Sequence, residues 1–168
     1  RVRLVGSTLI DVDLSRVDLQ GADFSKAQFT HVDLSGNDLT GASFRGANLI
    51  EVKFSKATLR SVDFSGARLQ DSDLSSTDLT GASLSDADLT EVDLRDANLT
   101  RANLSNAELS GARVVGATFM NADLSGVTIS DTAPYGLQLF GIDFGKRVNL
   151  QRVRLVGSTL IDVDLSRV

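Results

Sequence analysis

The chain has no cysteine, no tryptophan, one histidine, one tyrosine and one proline in 168 residues. Without cysteine there are no disulfides, no thiolate metal sites and no cysteine nucleophile. A single imidazole, His31, and a single phenol, Tyr135, leave Cys–His pairs and catalytic triads unavailable. Aromatic residues make up only 5%, which argues against a core of interlocking large rings. No run approaches the roughly 18 apolar residues that a membrane span needs, and no signal-peptide pattern opens the chain. The formal net charge of −5 argues against direct binding of nucleic acid, which needs a basic face. Phosphate-loop, dinucleotide and calcium-repeat glycine motifs are all missing. These absences predict a protein that is not an enzyme, holds no cofactor or metal, contacts no membrane, and fits a reducing cytoplasm.

What is present is a strict period of five. From Leu4 to Ile129 every fifth residue is large and apolar: 26 positions, of which 18 are Leu and 6 are Phe. Two residues before each of these centres the side chain is small or β-branched, 14 times Ala and 8 times Val. The other three positions of each unit are polar, and Gly stands two residues after the centre ten times. A helix repeats its apolar face at about 3.6 residues and a half-buried strand at 2, so neither fits. Apolar residues two apart lie on one face of a short extended segment, and Ser, Thr and Gly after it make a corner. The unit reads as a short strand followed by a turn, wound so that every centre points inward.

With Ala22-Asp23-Phe24, Ala87-Asp88-Leu89, Ala97-Asn98-Leu99, Ala102-Asn103-Leu104 and Ala122-Asp123-Leu124, the chain resembles the pentapeptide-repeat family. That resemblance implies an all-β fold, a right-handed quadrilateral β-helix of about eight coils with four units per coil. Residues 20 apart then stack, so Phe24, Phe44 and Phe64 should form an internal ladder continued by Leu84, Leu104 and Leu124. The acids of Asp11-x-Asp13 and Asp71-x-Asp73 are read as turn and solvent-facing groups of the repeat, not as a metal site.

The lattice predicts three segments. Residues 1–131 hold uninterrupted repeats. Residues 132–151 form an irregular coil or loop, because Pro134 replaces a centre and the apolar register slips by one residue between Phe144 and Leu150. Residues 152–168 resume the repeats and match residues 1–17 letter for letter. If a bulge absorbs the extra residue, the shift of 151 places this copy on the face opposite the original.

Sorting outward residues by face locates the charge. The face centred on Leu9, Phe29, Leu49, Leu69, Leu89, Leu109 and Ile129 carries Asp11, Glu51, Asp71, Asp88, Glu91, Glu108 and Asp131 against Arg68 alone. Asp11, His31, Glu51, Asp71, Glu91, Gly111 and Asp131 should stack in one column. The resemblance implies a surface that works by binding protein, because some family members confer quinolone resistance by binding DNA gyrase as acidic mimics of duplex DNA. The candidate partner-binding residues are therefore Asp11, His31, Glu51, Asp71, Asp88, Glu91, Glu108 and Asp131. The other expectation is a structural scaffold that self-associates end to end or as a dimer.

Overall fold

A computed structural model describes residues 1–130 and three short strands beyond them at 138–140, 154–156 and 159–161, with side chains described through Thr128. Pro134, Asp131, the slip between Phe144 and Leu150 and the predicted irregular coil of 132–151 otherwise lie outside the described residues. Among the described residues six segments are long enough to count as strands: β1 (Thr8–Ile10), β2 (Gln28–Thr30), β3 (Thr128–Ser130), β4 (Gln138–Phe140), β5 (Arg154–Val156) and β6 (Thr159–Ile161). Each is three residues long because the chain turns a corner in every unit. No helix long and apolar enough to cross a membrane occurs among the described residues.

Parallel bridges join residues 20 apart. One ladder runs Arg3, Asp23, Ser43, Asp63, Ser83, Asn103, Asp123, and three others start at Thr8, Asp33 and Asp38. Four ladders per 20-residue turn make a four-sided solenoid. The first coil is looser on two sides: no bridge links Asp13 to Asp33 or Asp18 to Asp38.

The unit 22–26 shows why this spacing folds. Ala22 N–H donates to the Leu19 carbonyl at 3.0 Å, closing the corner. Asp23 N–H donates back to Val2 at 3.0 Å, while Phe24 and Lys26 donate forward to Ser43 at 2.7 Å and Arg45 at 2.8 Å. That leaves Ser25 N–H, which points away from both neighbouring coils. It donates to the carboxylate of Asp23 at 3.1 Å. All five backbone donors of the unit are thus satisfied, as a solenoid wall requires. The same side-chain acceptor recurs from Asp13 to Asp123, with Asn98 and Asn103 doing the work of Asp in their units. The acid before each centre is more than a solvent-facing turn residue: it caps a specific N–H.

The corners share one backbone conformation. At every fifth position from Gly6 to Gly126 except Arg16, φ is positive, at ten glycines and fourteen other residues. The carbonyl of the centre accepts the N–H three residues on, and positive φ at the third residue is what a type II turn demands. Glycine meets this freely, while Asp71 (φ 57°) adopts it at a cost. Asp71→Gly should therefore match or exceed the wild-type melting temperature. Asp71→Val, β-branched at the same φ, should lose about 1–3 kcal/mol. Thermal melts that rank the Val variant level with Gly would refute this account of the corner.

The core is continuous. Centres from Leu9 to Leu124 are buried, as is nearly every Ala and Val two residues before them. Phe24 stacks on Phe44 with ring centroids 5.0 Å apart, and Phe44 on Phe64 at 5.1 Å, so the ladder read from the sequence is present. Phe29 and Phe54 meet it edge-on from other sides, at 5.5 Å from Phe24 and 5.8 Å from Phe44. Two buried hydroxyls replace Ala without an unpaired group. Ser72 donates to the Leu49 carbonyl and Thr77 to the Leu74 carbonyl, each at 2.6 Å.

Beyond the continuous lattice, β3 pairs with β5 at an offset of 26 residues (Thr128 with Arg154) and β4 with β6 at 21 (Gln138 with Thr159). Leu155 therefore stands beside Ile129, on the face next to that of Leu4 rather than opposite it. An offset of 26 is one coil plus six residues, where a simple one-residue bulge would have given 21.

Candidate functional site

The corner after the face centred on Leu9, Phe29 and Leu49 sets Asp11, His31, Glu51, Asp71 and Glu91 one above another. All are exposed and all have positive φ, between 51° and 59°. That backbone conformation projects each side chain outward from the corner, and successive coils repeat at about 4.8 Å, the spacing of paired strands. The first two members touch: His31 Nδ1 lies 3.3 Å from an Asp11 carboxylate oxygen, with both side chains about three-quarters exposed. At the lower end Glu91 leans over Gly111. A Cβ added to Gly111 would stand 2.5 Å from its Oε1, so the glycine leaves the space that this carboxylate fills.

The remaining predicted residues are placed differently. Asp88 and Glu108 sit on the flat face, half-buried and bridged to one another. Asp88 accepts from the Thr90 N–H at 3.2 Å, the Thr90 hydroxyl at 2.7 Å and the Gln70 amide. Glu108 accepts from the N–H of Ser110 at 3.1 Å and from its hydroxyl. Their carboxylates are committed to their own units, and the column at the corner is the group the structure brings together. Asp131 lies outside the described residues.

Sequence reasoning missed the second acidic column. Immediately across the corner, two residues on, stand Asp13, Asp33, Lys53, Asp73 and Asp93. The face they belong to, centred on Leu14, Leu34, Phe54, Leu74 and Leu94, is balanced overall, yet its side nearest the corner is acidic. Among the described residues only Asp93 of this column has arginine partners: Arg95 grips it with Nε at 2.9 Å and Nη2 at 2.6 Å, and Arg113 adds a contact at 3.6 Å. A second feature is a groove on another corner, floored by Gly46 and Gly66 and flanked by Lys26, Arg45 and Asp86. Glycine at two successive corner positions was its signal.

The capping carboxylates carry a pH dependence. Asp13, Asp23, Asp33 and Asp38 are held below the ordinary 3.8, first by the hydroxyl two residues on and then by its backbone N–H. For Asp78 and Asp93 burial is the largest single influence and pushes upward. For Asp78 the Thr80 hydroxyl and N–H with Arg60, and for Asp93 the Arg95 guanidinium and N–H with Arg113, outweigh it, so both also end below the ordinary value. A carboxyl depressed on folding contributes stability that is present above its unfolded value and lost as pH falls through the folded one. The melting temperature should hold from pH 8 to about 5 and fall below about pH 4. Asp→Asn at positions 13, 23, 33 and 38 together keeps an acceptor and should flatten that acid limb. An unchanged limb in differential scanning calorimetry would dismiss these caps as its source.

The chain is similar to a pentapeptide repeat protein from the thylakoid lumen of Arabidopsis thaliana, 40% identical over 60% of this chain and 67% of that one, at a TM-score of 0.43. HetL of the cyanobacterium Nostoc, a pentapeptide repeat protein involved in heterocyst differentiation regulation, is 29% identical. The match covers 94% of this chain and 80% of HetL, at a TM-score of 0.42. QnrB1, a plasmid-mediated fluoroquinolone resistance protein, is 25% identical over 93% of this chain and 90% of its own, at a TM-score of 0.45. No curated protein sequence matches. The profile described as Pentapeptide repeat region matches residues 7–84, and that of Pentapeptide repeats (8 copies) matches residues 97–132. With these two profiles covering most of the lattice and the 20-residue ladder visible in the structure, the chain belongs to the pentapeptide-repeat family.

Proposed function

We propose that the protein is a non-catalytic binding solenoid whose acidic corner docks into a basic, DNA-accommodating groove, with a type II topoisomerase such as DNA gyrase as the partner. The framework for this reading is the family's right-handed quadrilateral β-helix. The observation that carries it is the column Asp11, Glu51, Asp71 and Glu91, exposed on one corner and reinforced across that corner by Asp13, Asp33 and Asp73. A groove lined with Lys and Arg is complementary to carboxylates in a line, as it is to phosphates. Neighbouring carboxylates about 4.8 Å apart repel by roughly 0.9 kcal/mol in water, a cost that a basic partner relieves. Such a partner places the protein in the cytoplasm.

Glu51→Gln, Asp71→Asn and Glu91→Gln combined should abolish inhibition of gyrase supercoiling. The control is Asp86→Asn, Asp96→Asn and Asp123→Asn, which removes the same charge elsewhere and should leave inhibition intact. Asp33, Asp73 and Asp93 are unsuitable as controls because they flank the same corner. If wild type has no effect at micromolar concentration, or both variants act alike, the corner is only a solvated surface.

A second reading, a scaffold that assembles end to end, is favoured by the first coil. Val12 and Val17 are 37% and 39% exposed, whereas Val32, Val52 and Val92 at equivalent positions are at most 3% exposed. Together with Val5 and Ile10 they form an exposed apolar surface that a scaffold contact would cover.

A further inference from the structure

We propose that the face centred on Leu9, Phe29, Leu49 and Leu69 joins two copies of this chain side by side, with the basic corner of each copy receiving the acidic corner of the other.

That face lies between two unlike corners. After it comes the acidic column, in which Glu51 and Asp71 are exposed and, among the described residues, have no ion-pair partner. Before it comes the corner of Lys26, Gly46 and Gly66, with Arg45 one residue ahead of it and Arg68 two residues past it. Lys26, Arg45 and Arg68 are exposed as well, and none is ion-paired among the described residues. Arg60 and Arg95, by contrast, are committed to Asp78 and Asp93. Between the two corners the first three coils present Thr8, Ile10, Gln28, Thr30, Asn48 and Ile50, without a charge. Ile10 is 56% exposed, and the pairing of β1 with β2 makes this stretch a flat surface. An uncharged strip with charged margins is the anatomy of a protein contact.

Symmetry decides the occupant. A two-fold axis in the contact plane, parallel to the solenoid, turns the face onto itself, keeps every coil at its own level and exchanges the two corners. The basic corner of one copy then meets the acidic corner of the other, twice over, in a closed contact. The levels match: Glu51 of the second copy stands opposite Gly46, and Asp71 opposite Gly66. Those glycines put no side chain on their corner, and with Lys26 and Arg45 they line a groove of about 340 Å³. A carboxylate from outside can enter it between the two cations. Asp86 lines the lower end of that groove and would face Glu91, so like charges end the contact above the fifth coil.

Single exposed ion pairs contribute little. Here three cations on each of two edges act together, along a strip four coils or about 19 Å tall. The dimer is therefore of the weak, salt-sensitive class. While it lasts it covers the acidic corner, so self-association and docking into a basic groove exclude one another. The inference itself does not depend on the gyrase reading.

Charge reversal with rescue, read by sedimentation equilibrium of the intact chain, tests it. Lys26→Glu, Arg45→Glu and Arg68→Glu together reverse the basic edge, and Glu51→Lys with Asp71→Lys reverses the acidic one. Each variant alone should dimerise at least about tenfold more weakly than wild type, because like charges then meet on both edges. An equimolar mixture should regain the dimer, since a mixed pair brings opposite charges together on both edges. Arg16→Glu, Lys56→Glu and Arg101→Glu shift the net charge equally on other corners and should leave the dimer intact. Wild type gives a reading without substitutions: its dimerisation should weaken at least about tenfold between about 50 and 500 mM salt. A wild type that stays monomeric to millimolar concentration, or whose mass climbs past the dimer, overturns the inference. So does a mixture that stays monomeric, a salt-indifferent dimer, or loss of the dimer in the Arg16, Lys56 and Arg101 control. The gyrase reading survives each of these outcomes, because no gyrase is present.

Discussion

Leu79→Asp should unfold the middle of the solenoid. Leu79 is fully buried, stacked between Leu59 and Leu99, which are also fully buried. The buried polar groups of the described core are the hydroxyls of Ser72, Thr77 and Ser110, and no buried cation is among them to receive a carboxylate. Removing a buried leucine costs up to about 5 kcal/mol, and an unpaired buried carboxylate adds to that. The sum rivals the whole stability of a domain, which is about 5–15 kcal/mol. In a solenoid, where each coil rests on its neighbours, the break separates two halves. Leu79→Phe should behave quite differently, costing about 1–3 kcal/mol. Phe119, on the same face 40 residues later, is already buried. If Leu79→Asp melts within about 2 °C of wild type, a shift worth about 1 kcal/mol or less, the inward assignment of that face is wrong.

Phe44→Ala should be the most damaging truncation in the aromatic cluster. Its ring lies between Phe24 and Phe64 in the stack and also meets Phe29 at 5.7 Å and Phe54 at 5.8 Å. The hole would be lined by four other rings and could not collapse without moving adjacent coils. The expected loss is about 3–5 kcal/mol, a drop in melting temperature of roughly 10 °C. Phe44→Leu should cost less than about 1.5 kcal/mol, since Leu84, Leu104 and Leu124 occupy the same column. Equal losses for Ala and Leu would mean that the ring stack, not volume, carries the stability there.

The inward centres, the small residues before them and the Phe ladder were all legible in the sequence. Burial on a repeating lattice leaves a periodic trace, and Phe24, Phe44 and Phe64 are 20 apart. The hydrogen-bond role of the acid before each centre was not legible. Asp13 and Asp23 look the same in sequence whether they face water or cap the N–H two residues on. The corner conformation was only half legible, because Gly marks ten positions while turn closure imposes positive φ on Lys26, His31 and Arg101 as well. At the candidate site, spacing alone placed Asp11, His31, Glu51, Asp71 and Glu91 in a column. Spacing carries no rotamer, so it could not foresee that Asp88 and Glu108 turn onto Thr90 and Ser110. Sorting by whole faces also hid Asp13, Asp33 and Asp73, which belong to another face yet flank the same corner.

The acidic corner as a docking surface is tested most directly by titrating the intact protein into purified DNA gyrase at rising salt. Contacts made by a line of exposed carboxylates are screened over about 10 Å at 0.1 M salt. Affinity should therefore weaken at least about tenfold between 50 and 200 mM salt, the range over which a run of charged contacts is lost. Binding at micromolar concentration with that slope is the predicted result. Binding indifferent to salt, or no binding at the lowest salt, would contradict it.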